Sequence, residues 1–103
     1  MQRATTVRYT AKPGRADENE ALSRAVFAEL RTQPRAAFAY AVLRQGDDFL
    51  HLFINLDADN AEGVVDLASF AAFNAGAQDR WTGAPQIERH SMTLLDAFGF
   101  AGA

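Results

Sequence analysis

The chain has 103 residues, 49% of them apolar, with 13 acidic against 10 basic side chains and a formal net charge of −3. This predicts one soluble globular domain, residues 1–103, with a single modest core. The mild acidity and the scatter of arginines (3, 8, 15, 24, 31, 35, 44, 80 and 89) argue against nucleic acid, and the absence of cysteine excludes a disulfide framework, a thiolate nucleophile and a thiol-based metal site.

In chain order, residues 6–11 read as a β-rich strand stopped by Lys12-Pro13-Gly14, where proline fixes φ and glycine permits positive φ. Asp17 can then cap a helix, with Glu20 in the capping-box position. Leu22, Val26 and Leu30 recur every fourth residue, with Ala25 and Phe27 widening the stripe, and Pro34 ends the helix. Glu20 and Arg24 stand in the favourable i,i+4 order.

A hairpin over residues 38–55 follows. Gly46 suits the first central position of a type II′ loop, a register that places Val42 opposite His51, Tyr40 opposite Phe53, Ala41 opposite Leu52 and Leu43 opposite Leu50. Residues 57–63 form a loop of acidic and small residues. A second helix starts near Asp66, buries Leu67, Phe70 and Phe73, weakens around Gly76 and is finished by Gly83-Ala84-Pro85. Residues 86–95 make the last strand, and 96–103 a tail carrying Phe98 and Phe100.

The order β, α, β, β, α, β predicts an α+β, ferredoxin-like sandwich: a four-stranded antiparallel sheet with two helices on one face. Both faces of the hairpin are apolar, an aromatic row (Phe49, His51, Phe53 with Tyr40 and Val42) and an aliphatic row (Leu50, Leu52, Ile54 with Ala41 and Leu43). One face takes the chain's own helices; the other is expected to take a second copy, making a homodimer with Phe98 and Phe100 against the partner. Which row does which is open at this level.

The opening Val7-Arg8-Tyr9-Thr10-Ala11-Lys12-Pro13-Gly14-Arg15, followed by an acidic helix start, resembles the dimeric α/β-barrel superfamily that includes the antibiotic-biosynthesis monooxygenase-like proteins. The later Leu67-Ala68-Ser69-Phe70-Ala71-Ala72-Phe73-Asn74-Ala75-Gly76 is similar to the second helix of small uncharacterised bacterial members. The resemblance spans almost the whole chain. It implies two ferredoxin-like sheets packed face to face and a small-molecule cleft between each sheet and its helices.

The same resemblance implies, for cofactor-free oxygenases and haem-degrading members, an asparagine on the first strand, a tryptophan near the second helix and often a histidine on that helix. Here the first-strand position is Val7, Phe73 and Asn74 stand where the helical histidine would be, and Trp81 lies beyond the helix. Cofactor-free oxygenation needs a base to make a substrate carbanion and donors for the developing oxyanion. The resemblance thus carries fold and leaves chemistry open.

His51, on the aromatic row, is the best catalytic candidate as a general base or ligand contact; a half-buried histidine bonded to a tyrosine hydroxyl or a backbone carbonyl is the structural alternative. Ligand-binding candidates are Tyr9, Tyr40, His51, Phe53, Phe70, Phe73 and Trp81, a set too large for one cavity. His90 shares a strand face with Glu88 and Met92 and suits a carboxylate partner, and Trp81 suits packing at the helix exit. Asp57-Ala58-Asp59-Asn60 with Glu62-Gly63 hints at a calcium loop, but Ala61 and a glycine one place late argue against it. Two distant histidines make no zinc site, Ser23, Ser69 and Ser91 lack a nucleophile elbow, and no phosphate loop is present. No cofactor, metal or membrane partner is expected, and without a recognisable signal peptide the expected location is cytoplasmic. Two functions remain: a homodimer with a cleft for a small apolar or aromatic molecule, as binder or cofactor-independent monooxygenase-like enzyme, or a non-catalytic binding or structural dimer without an enzymatic site.

Overall fold

Strands and helices follow one another as β1 (Gln2–Ala11), α1 (Ala16–Leu30), β2 (Phe38–Gln45), β3 (Asp48–Asn55), α2 (Ala68–Ala75), α3 (Ala77–Arg80) and β4 (Trp81–Met92). The structure is a computed structural model and describes residues 2–32, 38–55, 67–96 and 98. Pro34, the segment 57–63, Asp66 and Phe100, on which expectations were placed, lie outside the described residues. The antiparallel sheet has the order β2-β3-β1-β4, so the first strand lies between the hairpin and the last strand as the ferredoxin-like topology requires. Among the described residues, no helix is long and apolar enough to cross a membrane.

The turns follow from local chemistry. Pro13 and Gly14 occupy the centre of a turn closed by Arg15 N donating to Lys12 O (2.9 Å), with Gly14 at φ +81°, the type II arrangement. In the hairpin Gln45 pairs with Asp48, Gly46 has φ +62° and no non-glycine residue has positive φ, which selects type II′ over type I′. The register is the expected one, with Tyr40 opposite Phe53, Ala41 opposite Leu52, Val42 opposite His51 and Leu43 opposite Leu50.

The open choice of face is resolved. Tyr9, Phe49 and His51 are buried beneath the helices with Tyr40 and Phe53 packed beside them, so the aromatic row lines the helix side. Leu50, Leu52 and Ile54 are only half-buried and Leu43 is 54% exposed, so the aliphatic row faces outward in the single chain.

Three local expectations are corrected. Arg15, not Asp17, sits at the N-cap of α1, because the type II turn delivers the chain one residue after Gly14; Glu20 turns to Arg24 and Arg44 instead of closing a capping box. The buried stripe of α1 is Ala16, Asn19, Ser23 and Val26, with Leu22 and Leu30 at its margin and Ala25 exposed. Asn19 is tolerated in that stripe because the Tyr9 hydroxyl, Arg80 and Trp81 meet its amide. Gly83-Ala84-Pro85 does not finish a helix. β4 already starts at Trp81, opposite Ala11, and the three residues form a bulge between the Thr10–Thr82 and Arg8–Gln86 pairs. Gly83 (φ +74°) supplies the left-handed residue, and Pro85, which has no N–H to donate, costs the ladder nothing there.

Candidate functional site

Beneath α1 the sheet carries a buried chain of hydrogen bonds. The Tyr9 hydroxyl lies 2.6 Å from His51 Nε2, and the Tyr40 hydroxyl 2.7 Å from His51 Nδ1. β1, β3 and β2 are adjacent in space at this point, since Val7 and Val42 both pair with His51. From α1, Asn19 Nδ2 donates to the Tyr9 hydroxyl (2.8 Å), while its Oδ1 accepts from Arg80 Nε (3.0 Å) and Trp81 Nε1 (2.9 Å). Arg80 also donates through Nη2 to Phe73 O at the end of α2 (2.6 Å) and lies 5.0 Å over the Phe73 ring. Asn19 is 0% exposed and Arg80 1%, so this end of the chain is dry.

Rings pack around the chain. Tyr9 stacks on Trp81 (3.8 Å between centroids) and Phe49 (5.4 Å), Tyr40 on Phe27 (4.8 Å) and beside Phe53 (4.3 Å). Phe73 touches His51 (5.6 Å), Trp81 (5.9 Å) and Phe70 (6.5 Å). The seven residues singled out in the sequence thus form one continuous cluster, and it is a packed one.

Burial sets the electrostatics. It pushes the His51 pKa down to about 4, so the imidazole is neutral at physiological pH. Burial raises Tyr9 to about 12, opposed by the Asn19 hydrogen bond and the Arg80 charge; the nearby Ser23 hydroxyl acts the same way, though its geometry falls short of a hydrogen bond. Tyr40 is raised by burial and by Tyr9. Both phenols therefore stay protonated, and neither they nor His51 supplies a ready base at pH 7. With both His51 nitrogens engaged and no group of three His, Cys, Asp or Glu gathered among the described residues, the chain offers no metal cradle there. His90 takes the carboxylate partner expected of it, Glu88 Oε2 at 3.6 Å on the surface.

Beside the cluster, between α1 and β2–β3, lies a recess of about 250 Å³ lined by Glu20, Ser23, Arg24, Phe27, Val42, Arg44 and Phe49. Its inner wall is Phe27, Val42, Phe49 and the buried Ser23. Arg44 bridges its rim, pairing with Asp17 (3.0 Å) and Glu20 (2.9 Å) of α1 while its guanidinium lies 5.5 Å over Phe49. None of the seven sequence candidates lines the recess. Ser23 Oγ is buried there without a hydrogen-bond partner.

Solved structures match this architecture over nearly their whole length. A protein of unknown function from Nitrosomonas europaea superposes with a TM-score of 0.73 at 24% identity, covering 98% of this chain and 96% of that one. A proposed antibiotic biosynthesis monooxygenase from Caulobacter crescentus gives 0.74 at 18% identity, covering 90% and 91%. Its fold is that of the antibiotic biosynthesis monooxygenase-like proteins. SnoaB, a cofactor-independent oxygenase from Streptomyces nogalater, shares the fold at a TM-score of 0.64 and 17% identity, over 92% of this chain and 98% of its own. No protein-family model and no curated protein matches the chain. At these identities the likeness is one of monooxygenase-like fold alone. Within that fold, Val7 is half-buried on the helix-facing row, two residues from Tyr9.

Asn19, Ser23 (weighed only as a nucleophile) and Arg80 were not among the site candidates read from the sequence. The signal for the first two was their spacing: with Ala16 and Val26 they keep the 3–4 rhythm of a buried stripe, where a polar residue needs a partner. Arg80 carried no local signal.

Proposed function

We propose that the protein is a homodimer that takes a small, mainly apolar molecule into the recess between α1 and β2–β3. The observation that carries this reading is Ser23: a buried hydroxyl without a hydrogen-bond partner, beside Phe27, Val42 and Phe49 in the inner wall of a recess of about 250 Å³ whose rim is charged, with Glu20, Arg24 and Arg44. Buried polar groups are seldom left unbonded, and a ligand oxygen or N–H would satisfy this one. Phe27, Val42 and Phe49 would hold an apolar or aromatic body, with Arg44 closing over it.

Binding is favoured over oxygenation. A cofactor-independent oxygenase must take a proton from its substrate, and here the best base has a pKa of about 4 and both nitrogens occupied. The test is a fragment screen of small neutral aromatics followed by amide chemical shifts. Hits are expected to perturb Ser23, Phe27, Val42 and Phe49, and Ser23→Ala should weaken them roughly fivefold, about 1 kcal/mol for one hydrogen bond. A screen with no hit at these amides would leave the non-catalytic dimer, its aromatic residues only core, as the better account.

A further inference from the structure

The recess continues along α1. A second hollow of about 310 Å³ shares Arg24, Phe27 and Val42 with it and adds Arg31 and Ala41, so the two make one groove between α1 and β2. Ser23 and Phe27 of α1, and Arg31 at its C-cap, follow one another every fourth residue along one helix face. At about 1.5 Å per residue they span roughly 12 Å.

The two ends of the groove differ. At the recess end stand Phe49 and the buried Ser23, with Glu20 at the rim. At the other end Ala41 and Val42, which project to opposite faces of β2, both line the hollow. β2 is an edge strand, so the groove opens there around the sheet edge to solvent.

Charge is placed as unevenly as shape. Three arginines and one glutamate line the groove, in a chain whose net charge is −3. Arg44 is held by Asp17 and Glu20, and Arg24 by Glu20. Arg31 has no carboxylate partner among the described residues; its guanidinium lies 6.0 Å over the Phe27 ring, at the open end.

A guanidinium is a planar fork of donors that matches a carboxylate. A carboxylate on Arg31 stays partly hydrated, which avoids the cost of burying a charge, while an apolar tail runs inward over Phe27 to Val42 and Phe49. The reverse orientation would set the negative charge beside Glu20 and against apolar side chains. Resting on the small-molecule reading above, we propose that the ligand is an elongated apolar carboxylate, its head group bound by Arg31 at the open end and its tail in the recess. Arg31 then selects the anion, and the recess selects the apolar body.

The test compares octanoate with octanol, which share a tail and differ in the head, by chemical shifts of the full chain. Tail occupancy is read at the Phe27, Val42 and Phe49 amides, and head-group binding at the Arg31 Nε–H. Octanoate should bind roughly fivefold tighter than octanol, the upper end for an ion pair that stays partly solvated. That preference should shrink as salt is raised. Arg31 is exposed, so its variants keep the fold. Arg31→Gln should bring the two affinities together without changing that of octanol, and Arg31→Glu should make octanol the tighter. Arg24→Gln, which removes an arginine already held by Glu20, should cost less of the preference. An equal loss in Arg24→Gln and Arg31→Gln would mean a diffuse positive rim and overturn the head-group site. Octanol that shifts the recess amides as tightly as octanoate leaves the recess reading standing and overturns the carboxylate class. If neither probe shifts those amides, the recess reading fails and this proposal with it.

Discussion

A neutral histidine held between two phenols makes a specific demand on pH. His51 has a pKa near 6.5 when unfolded and about 4 when folded, so below pH 6.5 the unfolded chain gains a proton that the native protein refuses. Stability is therefore full above that pH, falls as pH drops toward 4, and levels off below it. The full difference is roughly 3 kcal/mol, with a slope of at most about 1.4 kcal/mol per pH unit. Denaturant melts between pH 7 and 5 should show the slope, and His51→Gln should flatten it; a wild-type profile already flat over that window would contradict the buried, neutral imidazole. Asn19 is the second residue with a large expected effect. Asn19→Ala removes three hydrogen bonds and strands the N–H groups of Arg80 and Trp81 in a dry site. At about 1–3 kcal/mol for each unsatisfied buried group, the loss should exceed roughly 3 kcal/mol in the same melts.

The elements differ in how openly the chain announces them. The hairpin was legible to the residue pair, because Gly46 leaves one loop type and the loop type leaves one register. The start of β4 was not, because Gly83-Ala84-Pro85 is ordinary breaker chemistry that only pairing with β1 turns into a bulge. The buried stripe of α1 was misread for the same reason: Asn19 and Ser23 belong in it only once Tyr9 lies opposite. Helix α2 shows a further long-range debt. Leu67 at its N-cap provides no side-chain acceptor; Glu29 of α1 does so instead, accepting from Ser69 N (2.9 Å) and Ser69 Oγ (2.5 Å). These two bonds hold the Glu29 pKa below the usual carboxylate range. The cap is therefore intact above the ordinary glutamate pKa and is lost as pH falls through the lowered folded value. Glu29→Ala should speed amide exchange at Ser69 and its helical neighbours well before it affects β1 or β3; uniform acceleration across the chain would mean that the contact is not a local cap.

At the scale of the molecule, settling which row meets the helices also settles what is left over. The helices take the aromatic row and its polar partners, because only that row offers hydroxyls and an imidazole to Asn19 and, through it, to Arg80. The remaining face carries Ala41, Leu43, Leu50, Leu52 and Ile54 in adjacent positions on β2 and β3, with Leu43 54% exposed. A second copy is the occupant we expect. The patch is aliphatic and pleated like itself, so a two-fold axis would set each leucine row against its mate, and completing the burial of each large side chain is worth up to about 1.5–3 kcal/mol. Phe98, fully exposed, is a further large apolar side chain that we expect a partner copy to cover. Sedimentation at micromolar concentration should therefore give twice the monomer mass of 11.2 kDa. Leu52→Glu buries two unpaired charges at the seam but leaves the helix side untouched, so it should weaken association by at least about a hundredfold while the far-UV spectrum stays native. Phe98→Ser should weaken it less. A wild-type monomer at that concentration, or a Leu52→Glu protein that still pairs, would mean that the aliphatic face is covered by something other than its own copy.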